Sequence, residues 1–232
     1  MFGVVTDVAG GDSVDELGAR TFDAFGTAHA LCNNAGVAGG VTDGLINVSL
    51  WGVIHGHRVF LPKLIEQGEG HIINTASIAG HMAGHSAYSA SRWGVVGITL
   101  GLYHQMQATN PGVGVSCLCP GWVNTDIAKS ERNRPEWAAG NALEERSDEQ
   151  EARWQFVVDA LASGMPPAEV ADMVHDAVVS DTFWIFTDMG MVSMLDAKHK
   201  SITENRNPAA FGLFGSASHR TPAANDFTLT ER

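Results

Sequence analysis

Between His71 and Arg92 the chain reads HIINTASIAGHMAGHSAYSASR, and three of these side chains have the types and spacing to do chemistry together. Ser77 supplies a hydroxyl, Tyr88 a phenol and Arg92 a permanent cation. A phenol titrates near pH 10 in water, roughly, and exchanges protons at neutral pH only beside a cation that stabilises its anion. Tyr88 and Arg92 are four residues apart, the spacing that puts two side chains on one helix face. Taken alone, such a pair reads first as surface packing. The flanking residues decide between the two readings.

Those residues outline a strand, a loop and a helix. Ile72 and Ile73 form a β-branched apolar run, and Asn74 to Ser77 lie where such a strand would leave a sheet. Gly80 and Gly84 punctuate the loop, Ser86 is a candidate helix N-cap, and Asn110-Pro111-Gly112 ends a helix reaching about Ala108. Around this unit the chain alternates strand-like and helix-like stretches. Residues 2–8 read as a strand, and Ser13 as the cap of a helix over 14–25. A buried strand over 28–32 precedes Asn33-Asn34-Ala35-Gly36, and a long helix covers 46–66 with Pro62 as a possible kink. Residues 113–119 read as a buried strand leading into Pro120-Gly121-Trp122-Val123-Asn124-Thr125. A helix over 168–180, a strand over 183–187 and helical propensity over 189–204 follow. Such alternation predicts an α/β fold with a parallel sheet.

Ser77, the Tyr88-x-x-x-Arg92 step, the NNAG tetrapeptide and the PG motif together resemble the short-chain dehydrogenase/reductase family. In that family a Ser is followed by Tyr-x-x-x-Lys, and here Arg92 stands at the Lys position. The resemblance implies a Rossmann-like, doubly wound parallel sheet and an NAD- or NADP-dependent hydride transfer between the cofactor and a small alcohol or carbonyl substrate. It implies Tyr88 as general acid/base, Ser77 as the group polarising the carbonyl, and Arg92 as a partial substitute for the Lys that steadies the phenolate and holds the nicotinamide ribose. Asn34, Ala35 and Gly36 would line the ribose, and Pro120, Gly121, Val123 and Thr125 the nicotinamide. Asp7 and Val8 would meet the adenine. Aligned on Leu50-Trp51-Gly52, Ser49 falls where the family carries a proton-relay Asn.

The family's opening strand, TGxxxGxG turn and helix are not found in these 232 residues. The resemblance then covers residues 1–205, with a lid over 126–166 and a flexible tail over 206–232. The sheet is expected to lack its first two βα units, roughly 60 residues by the size of such units. On that reading the chain is a truncated form whose strand over 28–32 is an open edge. A second reading is a non-catalytic relative serving as an interaction or oligomer partner. Trp51, Ile54, Val95 and Leu100 would supply apolar contact to a homo-oligomer.

Composition narrows the rest. Hydrophobic residues at 44% and charged residues at 17% describe a globular chain, and a net charge of −12 is a poor match for nucleic acid or anionic lipid. No apolar run approaches the roughly 18 residues of a membrane helix, and no basic leader opens the sequence, so a cytoplasmic protein is expected. Cys32, Cys117 and Cys119 read as buried thiols, with Cys117 and Cys119 on one face of their strand. No metal site is expected. The His55/His57 and His81/His85 pairs lack a completing ligand set, and the run Glu144, Glu145, Asp148, Glu149, Glu151 reads as a solvated face.

Overall fold

A computed structural model describes residues 2–38, 42–82, 86–133, 147–193 and 195–207. Gly84, His85, Glu144, Glu145, the centre of the expected lid and nearly all of the expected tail lie outside the described residues. The described residues contain a four-stranded parallel sheet in sequential order. Its strands are β1 (Ala30–Asn33), β2 (Gly70–Thr75), β3 (Val113–Cys119) and β4 (Trp184–Phe186). The register pairs Cys32 with Ile73, Ile73 with Ser116 and Leu118 with Ile185.

Alternate side chains on β2 and β3 point to opposite faces, so two helical layers are required. On one face, Ile72, Val113 and Val115 pack with Leu64 of α3 (Gly52–Gln67) and Leu102 and Met106 of α4 (Ala87–Thr109). Cys117 and Cys119 share that face with Val53 and Val95. On the other, Ile73, Leu118 and Ile185 pack under Val170 and Ala177 of α6 (Pro167–Val179). Truncating a buried Leu such as Leu64 would cost about 2–5 kcal/mol, because the cavity left behind collapses only partly. Helix α1 (Gly11–Phe25) lies on α3, and α2 (Thr42–Ile46) leads into a π-turn over Asn47–Trp51 before α3 begins. After a 3₁₀ segment over Asp126–Asn133, α5 (Asp148–Ala162) precedes α6, and α7 (Met189–Ser193) and α8 (Leu195–Thr203) follow β4.

Several sequence expectations are corrected. Residues 2–8 form no strand: among the described residues no neighbouring strand takes up their backbone groups, and Val5 is fully exposed. Ser13 is not a cap but lies inside α1, where its hydroxyl accepts from the Asp7 N–H at 3.0 Å. Strand β1 is only half-buried and Cys32 is exposed, because β1 pairs on one side alone. Val95 is 0% exposed and belongs to the core, whereas Trp51 and Leu100 lie outside it. The charge-rich segment holds a helix, α5, opened by a reciprocal Ser147–Gln150 capping box. Among the described residues no helix is long and apolar enough to cross a membrane.

Packing also confines histidines. His71 hydrogen-bonds Ser116 Oγ at 2.7 Å across the β2–β3 pair, and burial lowers its pKa. The His81 ring packs against Trp184 and Phe186, and burial, with Lys198 and His199 nearby, lowers its pKa from 6.5 to about 4. A folded-state pKa below the unfolded value means that the unfolded chain binds more protons between those two values. The contribution of neutral His81 is therefore complete above about pH 6.5 and is lost as pH falls through about 4. Urea midpoints measured from pH 7 to pH 4 should fall with acidification. His81→Phe, which keeps an aromatic ring and removes the titration, should make that decline shallower.

Candidate active site

The C-terminal ends of β1, β2 and β3 converge, and the predicted chemistry collects there. Beyond Thr75 the chain stays extended, and the Ala76 N–H donates to Leu118 O at 2.7 Å. Ser77, itself extended, caps a 3₁₀ turn over Ile78–Gly80, its Oγ accepting the Ala79 N–H at 3.1 Å. The same Oγ donates to Pro120 O at 3.4 Å, and the Ile78 N–H donates to that carbonyl at 2.9 Å. The catalytic serine candidate and the Pro120-Gly121 turn are thus one hydrogen-bonded unit. Ser86 caps α4 by accepting the Ser89 N–H at 3.2 Å, which starts the helix just before Tyr88.

Arg92 ties this unit together. It is 2% exposed, and its Nη1 donates to Thr75 O at 2.9 Å. Its guanidinium carbon lies 5.0 Å from the centroid of the Tyr88 ring, a cation–π distance. Its Nη2 abuts Gly36, where a Cβ would fall inside contact distance. The last residue of NNAG thus makes room for the guanidinium by having no side chain. Arg92 Nε is buried without a partner, leaving one donor that a ligand oxygen could accept. A ribose hydroxyl fits that donor, so the residues present are compatible with a nicotinamide dinucleotide on this side of the site.

Behind the site is a polar network that the sequence did not announce. Asn33 Nδ2 donates to Asn74 Oδ1 at 2.8 Å, and Asn74 Nδ2 donates to Thr99 Oγ1 at 3.0 Å. His57 Nε2 lies 2.9 Å from Asn74 Nδ2, and burial lowers the His57 pKa. Asn74 is fully buried and joins β1, β2, α3 and α4 through these contacts. In the sequence it was one small polar residue in a strand, and only side-chain geometry reveals four elements meeting at it. Nearer the surface, Thr75 Oγ1 donates to Asn34 Oδ1 at 3.0 Å, holding the NNAG loop to the end of β2.

The remaining predicted residues are placed as follows. Asn34 and Ala35 are exposed, and Thr125 is exposed in the loop after β3. Gly121 donates its N–H to Thr187 Oγ1 at 2.9 Å, and Val123 forms a single parallel bridge with Met165. Asp7 accepts the Ala9 N–H at 3.0 Å ahead of α1. Val8 packs on Gly52, and its carbonyl lies 3.1 Å from His55 Nδ1. Ser49 is 0% exposed inside the π-turn, and its Oγ has no hydrogen-bond partner. Cys117 and Cys119 have their sulfurs 3.7 Å apart, and that contact together with burial raises the Cys119 pKa, so its thiol is no nucleophile.

Comparison with known proteins bears on the family and the fold. Residues 1–136 match the family described as short chain dehydrogenase. A Mycobacterium tuberculosis protein provisionally named as the oxidoreductase SadH is 39% identical over 117 residues, 46% of this chain and 42% of that relative. The match thus spans less than half of that relative's length. The CLA biosynthesis dehydrogenase/reductase of Lactiplantibacillus plantarum is 27% identical over 218 residues, 88% of this chain and 76% of the relative. Among solved structures, a short chain dehydrogenase/reductase from Burkholderia phymatum in complex with NAD is 36% identical, with a TM-score of 0.83. That similarity covers 90% of this chain and 78% of that one.

The fit between Gly36 and Arg92 yields a test. Forcing a methyl group into a packed site costs about 1–3 kcal/mol, and a lysine ammonium would not reach the same space with a planar fork. Gly36→Ala should destabilise the chain in the Arg92 background and much less after Arg92→Lys. Urea unfolding of both single variants and the double variant would give a coupling of at least about 1 kcal/mol. Strictly additive changes would show that the two residues do not share the space.

Proposed function

We propose that this chain, which belongs to the short-chain dehydrogenase family, carries the catalytic centre of an oxidoreductase acting on a small alcohol or carbonyl compound with NAD or NADP. The observation that supports this most directly is the buried Arg92 guanidinium, bonded to the end of β2 and lying over the ring of Tyr88. A bound nicotinamide dinucleotide supplies the hydride acceptor or donor. The chain's own residues do the rest. Tyr88 exchanges the substrate proton through its phenol oxygen, and the fixed positive charge of Arg92 stabilises that oxygen when the proton has left. Ser77 would turn its one O–H from the long contact with Pro120 O to the substrate oxygen, while the Ala79 N–H keeps its Oγ in place. Arg92 Nε, Asn34, Ala35 and Gly36 would hold the ribose, and Gly121, Val123 and Thr125 would border the nicotinamide. Asp7 and Val8 would border the adenine, and Ser49 takes the place of the proton-relay residue.

A second reading, an interaction partner without turnover, draws on the open edge of β1 and on exposed apolar residues of the helices. Trp51 is 47% exposed, Trp93 42% and Leu100 36%. Such residues suit a homo-oligomer, and light scattering of a concentrated solution should report more than a monomer. A clean monomer would remove that reading.

The catalytic reading is tested in two steps. These 232 residues contain no TGxxxGxG turn to meet a pyrophosphate, so calorimetric titration with NADH should show binding weaker than micromolar. Preceded by the two leading βα units of an NAD-binding relative, TGxxxGxG turn included, the chain should oxidise members of an alcohol panel. Tyr88→Phe should then lower turnover by about 10²–10⁴-fold, the usual contribution of a general acid/base. Cofactor binding without any Tyr88-dependent oxidation would overturn the assignment.

A further inference from the structure

Lys198 of α8 is far in sequence from the catalytic candidates, yet its contacts lead straight to them. Its ammonium donates to His81 O at 3.0 Å and sits 3.6 Å from the centroid of the Trp93 ring. Trp93, one residue after Arg92, donates its indole N–H to Met82 O at 2.9 Å. Two consecutive carbonyls, those of His81 and Met82, are therefore held by one cation–π pair. Those carbonyls close the short turn that begins at Ser77. Within it the Gly80 N–H donates to Ser77 O, and the His81 N–H to Ile78 O, both at 2.9 Å. Below the turn, Ile78, Met82 and Leu195 form a buried cluster backed by Phe186, Met191 and Val192.

We infer that Lys198 is a positioning residue for the catalytic turn: its ammonium, clasped between the Trp93 ring and His81 O, locks residues 77–82 against α4. This rests on the catalytic reading of Ser77 and Tyr88 given above. The sheet side of Ser77 is already fixed by Pro120 O, and the His81 ring meets Trp184 and Phe186 of β4, but among the described residues no strand takes up the His81 and Met82 carbonyls. A backbone carbonyl bonded by a desolvated cation is held more firmly than one bonded by a neutral donor. Lys198 is only partly buried, and loss of part of its hydration lowers its pKa.

Amide hydrogen exchange of the 232-residue chain tests the inference without requiring turnover, so its failure is distinguishable from failure of the oxidoreductase reading. Lys198→Met keeps the stem and removes the charge. It should speed exchange at Gly80 and His81 by about tenfold or more while Ile72 and Val115, in the central strands, keep their protection. Lys198→Arg retains a cation able to lie on Trp93 and should restore protection at both amides. Trp93→Phe, which loses the bond to Met82 O, should reproduce the local loss of Lys198→Met, and provides the comparison if Lys198→Met does not fold. Equal acceleration at all four amides, or none at Gly80 and His81, would overturn the inference. So would failure of Lys198→Arg to restore protection.

Discussion

Burying a guanidinium is the constraint on which the site depends. A charge removed from water costs several kcal/mol unless it is paired and hydrogen-bonded, and Arg92 is 2% exposed with no carboxylate paired to it among the described residues. Its compensation comes from a backbone carbonyl, an aromatic face and the absence of a side chain at Gly36. Each belongs to a different segment: Thr75 ends β2, Tyr88 begins α4, and Gly36 closes the loop after β1. Arg92 therefore acts as a gauge of the arrangement, because these contacts form only when all three segments are in place. A lysine there would have one compact charge where Arg92 presents a fork.

Parallel topology explains why these segments meet. In an open α/β sheet the loops at the carboxyl ends of adjacent strands face one crevice, and ligands bind there. Here β1 delivers NNAG, β2 delivers Thr75 and Ser77, and β3 delivers Pro120, in that spatial order. The Asn33–Asn74–Thr99 bonds keep the ends of β1 and β2 in register with α4, so the positions of Ser77 and Tyr88 are set by the same polar core. Because that core is fully hydrogen-bonded at Asn74, it favours one arrangement over others of similar compactness.

Much of this was legible in the sequence, for identifiable reasons. Residues 113–119 are continuously apolar or small, as a strand covered on both faces must be, and β3 has those bounds. Ser86 marked a helix start through chemistry local to the helix, and α4 begins just after it. The failures were of another kind. Residues 2–8 have strand composition, but a strand exists only with a neighbour, and neighbours are not written locally. Cys32 looked buried because its residue type usually is, whereas exposure at a sheet edge follows from topology. In the charge-rich stretch a lid was expected and no helix named, although the capping pair Ser147 and Gln150 opens α5. In the site itself, residue types were legible, but the Gly36–Arg92 fit and the Asn74 network depend on side-chain directions that spacing cannot give.

One detail joins the sequence pattern to the site more closely than the motifs do. Among the described residues, the buried side-chain polar atoms left without partners are Ser49 Oγ and Arg92 Nε. An unsatisfied buried polar group costs about 1–3 kcal/mol, so packing alone would select against both. Ser49 also lies in a π-turn closed by the Gly52 N–H donating to Asn47 O, a local departure from helical bonding that is frequent at functional sites. Residues 47–51 therefore do not follow the regular turn of about 100° per residue of an α-helix. Two independent irregularities, a broken helical ladder and an unpaired hydroxyl, thus coincide at Ser49. The second unpaired atom lies on Arg92, beside the Tyr88 ring. Costs retained at these two positions, among described residues whose other buried side-chain polar atoms are paired, support the proposal of a site shaped by chemistry as well as by stability.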